Sequence, residues 1–188
     1  MSDADPTITE PSVVPAPESV DPDRRRRCLW TLGLTALGVV LLDQLVKYWV
    51  VTSIKPRIDA GEGPIVLLGG LVKFTYVENT GAAFSMGAGY TWIFSIVAVV
   101  VAIVILRTSR RIGSIGWAVA LGGLLGGLLG NLTDRIIRPP SPGMGYVVDF
   151  IQLPYFAVFN VADMFITGSA ALMVILALRG VELSGGRS

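Results

Sequence analysis

Apolar residues gather into four runs, and the polar residues that break them are few. Residues 29–51 form the first run, 23 positions or about 35 Å as a helix, interrupted by Asp43, Gln44 and Lys47. Residues 90–106 form the second, with no charge in it. Residues 112–132 carry only Ser114 and Asn131 as polar members, and residues 158–178 have Asn160 and Asp163 near their start. Each run is long enough to cross a bilayer as a helix. The pattern therefore predicts an all-α membrane protein with four transmembrane helices. Its core domain is expected over residues 28–180, followed by a short tail over 181–188.

Between the first two runs the period changes from helical to alternating. Val72, Phe74 and Tyr76 alternate with Lys73 and Thr75, and residues 65–68 and 71–77 flank Gly69-Gly70, a pair suited to a two-residue hairpin turn. A small outward-facing β-hairpin or sheet at the membrane surface is expected there. A second strand candidate covers residues 146–153, after the Pro139-Pro140-Ser141-Pro142-Gly143 stretch and before Pro154.

Composition sharpens this picture. The chain of 188 residues is 52% hydrophobic and only 15% charged, with a mean hydropathy of +0.65, too few charges to cover a wet surface. The net charge of +1 hides an asymmetry. Asp3, Asp5, Glu10, Glu18, Asp21 and Asp23 precede any base, among five prolines, so residues 1–27 read as a disordered acidic tail ending in an arginine cluster. Arg24, Arg25, Arg26 and Arg27 stand before the first helix, Arg107, Arg110 and Arg111 between the second and third, and Arg179 after the fourth. With four spans these sites share one side, which the positive-inside rule makes cytoplasmic, with both termini there. The long connections, residues 52–89 and 133–157, then face outward.

There is no histidine, and Cys28 is alone. Imidazole-based catalysis, a disulfide and a thiolate metal cage are thereby excluded. No metal, cofactor or nucleic-acid partner is expected. What remains for chemistry is carboxylate, amide, hydroxyl, Lys and Arg.

Under this topology Asp43, Lys47, Asn131, Asp134, Asn160 and Asp163 all fall at the outer interface, and Asp149 and Asn79 lie on the outer loops beside them. Ionisable groups at membrane depth call for a reason. Asp43 and Lys47 are i,i+4 and can simply neutralise one another. Asp134-Arg135 can anchor a helix end, and Asn131 and Asn160 can satisfy interhelical hydrogen bonds. Asn160 and Asp163, i,i+3, share a face near a helix start. Gly122, Gly126 and Gly130, with Gly123 and Gly127, read as close helix packing alone. Asp149 and Asp163 stand out, each a lone carboxylate in an apolar run. Two such acids in contact hold one proton between them, which suits general acid–base work. A proton relay in a small membrane transporter, or a structural pair, accounts for them equally well.

The blocks Asp43-Gln44-Leu45-Val46-Lys47, Asn79-Thr80-Gly81-Ala82-Ala83-Phe84, Gly130-Asn131-Leu132-Thr133-Asp134-Arg135, Val147-Val148-Asp149-Phe150 and Phe159-Asn160-Val161-Ala162-Asp163 occur in the order found in bacterial lipoprotein signal peptidase, the signal peptidase II family, which the chain resembles. The resemblance implies a four-helix aspartic endopeptidase of the bacterial cytoplasmic membrane, acting as a monomer at the outer face. It implies Asp149 and Asp163 as the catalytic pair, with Asp43, Lys47, Asn79, Gly81, Asn131, Asp134, Arg135, Asn160 and Ala162 shaping the site. The implied substrate is a prolipoprotein with a diacylglyceryl-modified cysteine, cut just before that cysteine. Membrane lipid and globomycin-type peptide inhibitors are the other implied partners.

Overall fold

A computed structural model of the chain describes residues 20–81, 91–140 and 142–186. The acidic positions of residues 1–19 lie outside the described residues, as do Ala82, Ala83 and Phe84 of the second block. Among the described residues, four helices are long and apolar enough to cross a membrane.

Helix α1 spans Pro22–Trp49. It starts seven residues before the apolar run, so the arginine cluster is helical and does not belong to the preceding tail. Asp21 is the N-cap, accepting from the Asp23 amide, and Pro22 occupies the first turn, where its missing N–H is no loss. Counting apolar residues alone could not place this start, because arginine is a good helix former. The helix continues through a π-helical turn, Val50–Ile54, into α2, Lys55–Asp59. The whole span of 38 residues is about 57 Å long, nearly twice the hydrocarbon thickness. Its far end therefore stands beyond the lipid core, where Val50 and Ile54 pack with Val148 and Phe150 in a small second core.

Strands β1 (Ile65–Leu67) and β2 (Val72–Asn79) form the expected hairpin, but its connection is longer than the two residues Gly69-Gly70. Leu68, Gly69 and Gly70 all take positive φ, at 50°, 66° and 101°. Two glycines in a row allow this left-handed path, which extends the turn from Leu68 to Leu71. Strand β3 (Val147–Gln152) adds to β2, giving an antiparallel sheet of order β1-β2-β3. The pairing of β2 with β3 shifts register between Phe74 and Val77.

Helix α3 covers Thr91–Thr108 and α4 covers Ile115–Ile137. The latter begins three residues later and ends five later than the apolar run, because Ser114 caps it and Asp134 and Arg135 prolong it. Helix α5 covers Val161–Leu178, with Asn160 as its cap. The apolar residues Val158 and Phe159, expected to open this helix, are extended instead, and Phe159 bridges to Ile151.

Helix α4 is the hub, packing chiefly on α1 and α5 and more lightly on α3. The membrane core joins Leu32 and Ala36 of α1, Ile105 of α3 and Leu121 and Leu125 of α4. Elsewhere apolar side chains face outward, as with Leu34 at 61% and Val104 at 53% exposure, which suits lipid as the solvent. A Cβ on Gly126 would stand 2.7 Å from the Ala36 carbonyl, and one on Gly127 would stand 2.6 Å from that of Ala162. Backbone cannot yield as a side-chain tip can. Gly126→Ala and Gly127→Ala should each lower the melting temperature in detergent, by about 1–3 kcal/mol of stability. Gly33→Ala and Gly38→Ala, with nothing within 4 Å, should not.

The ends of α1, α4 and α5 away from the sheet are tied by the C-terminal segment. Gly113 and Ser114 donate backbone N–H to Leu183 O, Trp117 Nε1 donates to Val181 O, and Arg24 donates to Gly185 O. Residues 181–186 are thus bonded to the bundle.

Candidate active site

Each residue singled out in the sequence is brought to one end of the bundle, where α1, α4, β2, β3 and α5 meet. Lys47 is the centre of the deeper half. Its ammonium lies 2.8 Å from Asp43 Oδ2, 2.9 Å from Asp134 Oδ2 and 3.0 Å from Asn131 Oδ1, and all three ion-pair members have fully buried side chains. The i,i+4 pair read from the sequence is real but incomplete, since Lys47 serves two carboxylates. Asp134 also accepts from Arg138 Nε at 2.9 Å and from the Val148 amide at 3.1 Å, which fastens β3 to the end of α4. Asp43 accepts from the Ala162 amide at 2.9 Å, at the start of α5. Gly130 leaves room for this carboxylate, because a Cβ there would meet Asp43 Oδ2 at 2.7 Å. That glycine has a place in the site beyond helix packing.

Above this cluster lie Asp149 and Asp163, which line one cavity of about 370 Å³ together with Asn79, Gly81, Asn131 and Arg135. Apolar side chains complete it, among them Phe94 of α3 and Val147, Phe156 and Val158. Asp149 is 2% exposed and sits mid-strand on β3, opposite Val77. After β3 the chain reverses, and Phe159 pairs with Ile151 through N–H···O bonds of 2.8 and 3.0 Å. This reversal carries Asn160 back beside Asp149. It explains how two acids only 14 residues apart reach one cavity from a strand and a helix.

The amides have defined orientations. Asn79 Oδ1 accepts from the Gly81 N–H at 2.9 Å, so its NH₂ faces Asp149 Oδ2 at 2.7 Å. Asn160 Oδ1 accepts from the Asp163 N–H at 3.0 Å, so its NH₂ faces Asp149 Oδ1 at 2.6 Å and Asn131 Oδ1 at 3.1 Å. Asn131 Oδ1 faces the Lys47 ammonium, so its NH₂ reaches Asp163 Oδ1 at 2.8 Å. In each case one end meets a group that can only donate, which fixes the other end as donor. Asn160 and Asp163 do not simply share a helix face; they form a reciprocal capping box, with the Asn160 N–H on Asp163 Oδ2 at 3.2 Å.

Burial pushes the Asp149 carboxyl up to about 7, and the nearby charge of Asp163 adds to the shift; hydrogen bonds from Asn79 and Asn160 and the charge of Lys47 oppose it. Arg135 is 7% exposed, donates to the Gly81 carbonyl at 3.2 Å and lies over the Phe94 ring at 5.6 Å. Its Nε is buried and has no hydrogen-bond partner among the described residues. The described residues contain no cluster of three or more metal-ligating side chains.

Three contributors were not singled out in the sequence. Gln44 donates to Gly130 O at 3.1 Å and to Asp43 Oδ2 at 3.2 Å; it stood inside the first block, flanked by the residues that were chosen. Arg138 was signalled by its i,i+4 distance from Asp134. Phe94 carried no signal, one aromatic residue in an apolar run.

The arrangement has relatives. The family model described as signal peptidase (SPase) II matches residues 35–179. The chain is 43% identical over 183 residues to a lipoprotein signal peptidase of Streptomyces coelicolor, covering 97% of this chain and 86% of that protein. It is 42% identical over 173 residues to one of Mycobacterium avium, covering 92% and 90%. A solved bacterial membrane enzyme superposes with a TM-score of 0.68 at 28% identity, covering 80% of this chain and 88% of that one.

Proposed function

Because the chain belongs to the signal peptidase II family, we propose that this membrane peptidase removes the signal peptide from diacylglyceryl-modified prolipoproteins, cutting just before the modified cysteine with water activated between Asp149 and Asp163. The observation that carries the reading is the single cavity in which both carboxylates sit under oriented amides. A charge count supports one shared proton. Lys47 and Arg138 balance Asp43 and Asp134, which leaves Arg135 to balance one negative charge on the pair. A second charge would have no cation left to balance it.

The steps follow from this distribution. Asp149, whose carboxyl is raised to about 7, holds the proton near neutral pH and donates it to the scissile carbonyl oxygen. Asp163 takes a proton from the attacking water. The C–N bond then breaks as the proton on Asp163 passes to the leaving nitrogen and the former carbonyl oxygen returns its proton to Asp149, which restores both acids. Arg135, which lines the same cavity, is placed to stabilise negative charge that develops on that oxygen as the proton is transferred. No covalent intermediate is required. The apolar wall formed by Phe94, Phe156 and Val158 suits the lipidated, apolar segment of such a substrate and globomycin-type peptides alike. The relay alternative is weaker, because the buried ionisable side chains gather around one cavity at one end of the bundle and do not thread through it.

One experiment tests substrate and mechanism together: cleavage of a precursor with and without its diacylglyceryl group, in detergent, across pH 5–9. The lipidated form should be cut and the bare form spared. Because the Asp149 carboxyl is raised, its acid form persists up to about pH 7 and is lost above it. The rate should therefore fall on the alkaline side with an apparent midpoint near pH 7. Equal cleavage of both precursors contradicts lipid recognition, and a flat alkaline limb contradicts the role of Asp149.

A further inference from the structure

At the end of the bundle away from the cavity, the C-terminal segment joins the start of α1, the start of α4 and the end of α5. That end carries Arg24, Arg25, Arg26, Arg27, Arg107, Arg110, Arg111 and Arg179, all exposed. Asp21, Asp23 and Glu182 are the only acids among the described residues there. Arg24 donates to Gly185 O, whereas the guanidinium groups of Arg25, Arg26 and Arg27 make no hydrogen bond or ion pair among the described residues. Their position is also unfavourable on its own. Arg24 and Arg25 lie in the first turn of α1, where the helix dipole favours negative charge, and four adjacent cations repel one another. Beside them Trp30 is 62% exposed, one turn along the helix, and it lines an open cleft of about 440 Å³ with Asp23, Arg26 and Arg27. An indole and arginines at the mouth of a membrane span match a lipid headgroup region in both polarity and depth.

We infer that the start of α1 binds the headgroup of an anionic phospholipid, with the phosphate on Arg26 and Arg27 and the glycerol and upper chain against Trp30. Charge complementarity selects this occupant. Asp21 and Asp23 at the helix start leave the four arginines in excess; the phosphate supplies further negative charge, and planar guanidinium groups bind it through paired N–H donors. A membrane leaflet presents such headgroups at this depth, and the attraction amounts to roughly 1 kcal/mol per basic residue near an anionic surface. The inference does not depend on the peptidase reading, since the patch and the cavity lie at opposite ends of the bundle.

The test uses the full chain purified in a neutral detergent, with phosphatidylglycerol, phosphatidylcholine or soluble glycerol phosphate added. Native mass spectrometry counts retained lipid, and thermal melting reports stabilisation. Phosphatidylglycerol should be retained and should raise the melting temperature by several degrees, with neither other probe doing so. In R25Q/R26Q/R27Q the response should fall by half or more; Arg26→Gln alone, with a smaller fall, serves if the triple variant does not fold. Equal responses to phosphatidylglycerol and phosphatidylcholine overturn the inference, as does an unchanged response in the variants. A shift with glycerol phosphate alone indicates a soluble-anion site and also overturns it. So does a response seen only after residues 1–19 are deleted, because the acidic segment would then be the occupant.

Discussion

Replacing Asp149 or Asp163 with asparagine should abolish cleavage of lipidated precursor, a loss of roughly 10³-fold or more, while the bundle stays folded. An amide has the shape of the carboxyl group but can neither take the proton of water nor give one to the carbonyl oxygen. The local disturbance is limited. Asp149 accepts from the Asn79 and Asn160 amides, so Asp149→Asn sets one NH₂ against another donor. That removes about one hydrogen bond, near 1 kcal/mol. Asp163→Asn similarly turns one donor towards Asn131 or the Asn160 N–H. Melting temperatures should therefore move by a few degrees as activity vanishes. Full cleavage by either variant would eliminate the carboxylate pair as the catalyst, and a collapse of stability matching the loss of activity would mark the acids as structural.

The largest effect on stability should come from Lys47→Met. Methionine fills a similar volume, but it leaves Asp43 and Asp134 facing one another without the cation that lies 2.8 and 2.9 Å from them. Removing one partner of a buried ion pair typically destabilises by about 3–5 kcal/mol, because the remaining charge is left without compensation. Adding Asp43→Asn to Lys47→Met removes one of the two stranded charges and should recover part of the loss, a coupling that a double-mutant cycle measures. Thermal melting of the four proteins in detergent is sufficient. A Lys47→Met variant as stable as the parent would mean that the cluster is not held together by charge.

Much of this organisation could be read in the residues, and the errors have identifiable causes. The helices were visible because lipid demands long apolar runs, and Asp43, Lys47, Asn131, Asp134, Asn160 and Asp163 were conspicuous because they break those runs. Their placement at one level followed from helix direction. Helix ends were less legible, since hydropathy responds to lipid contact and helices obey caps. The arginines of α1 and the Asp134-Arg135 end of α4 were too polar to be counted as membrane span, yet both are helical. Val158 and Phe159 were apolar enough to be counted, yet Asn160 is the cap and Phe159 pairs with β3. Pairing with Lys47 was expected for Asp43 and left open for Asp134, since a partner 87 residues away has no local periodicity. Phe94 was hidden for the opposite reason, because nothing in an apolar helix separates the residue under Arg135 from those facing lipid.

The three asparagine amides have a consequence for how the rate is achieved. Asn79, Asn160 and Asn131 are each held at the carbonyl end by a group that can only donate, so their NH₂ dipoles already point at the two acids with no substrate present. Water in the same place would have to reorient as charge moved from one carboxylate to the other, and that reorientation is a main part of the barrier in solution. A field set during folding needs no such adjustment. The reorganisation energy is taken from the free energy of folding and not from that of binding, so lipid recognition decides which precursor reaches the carboxylates and leaves the field that acts on it there unchanged.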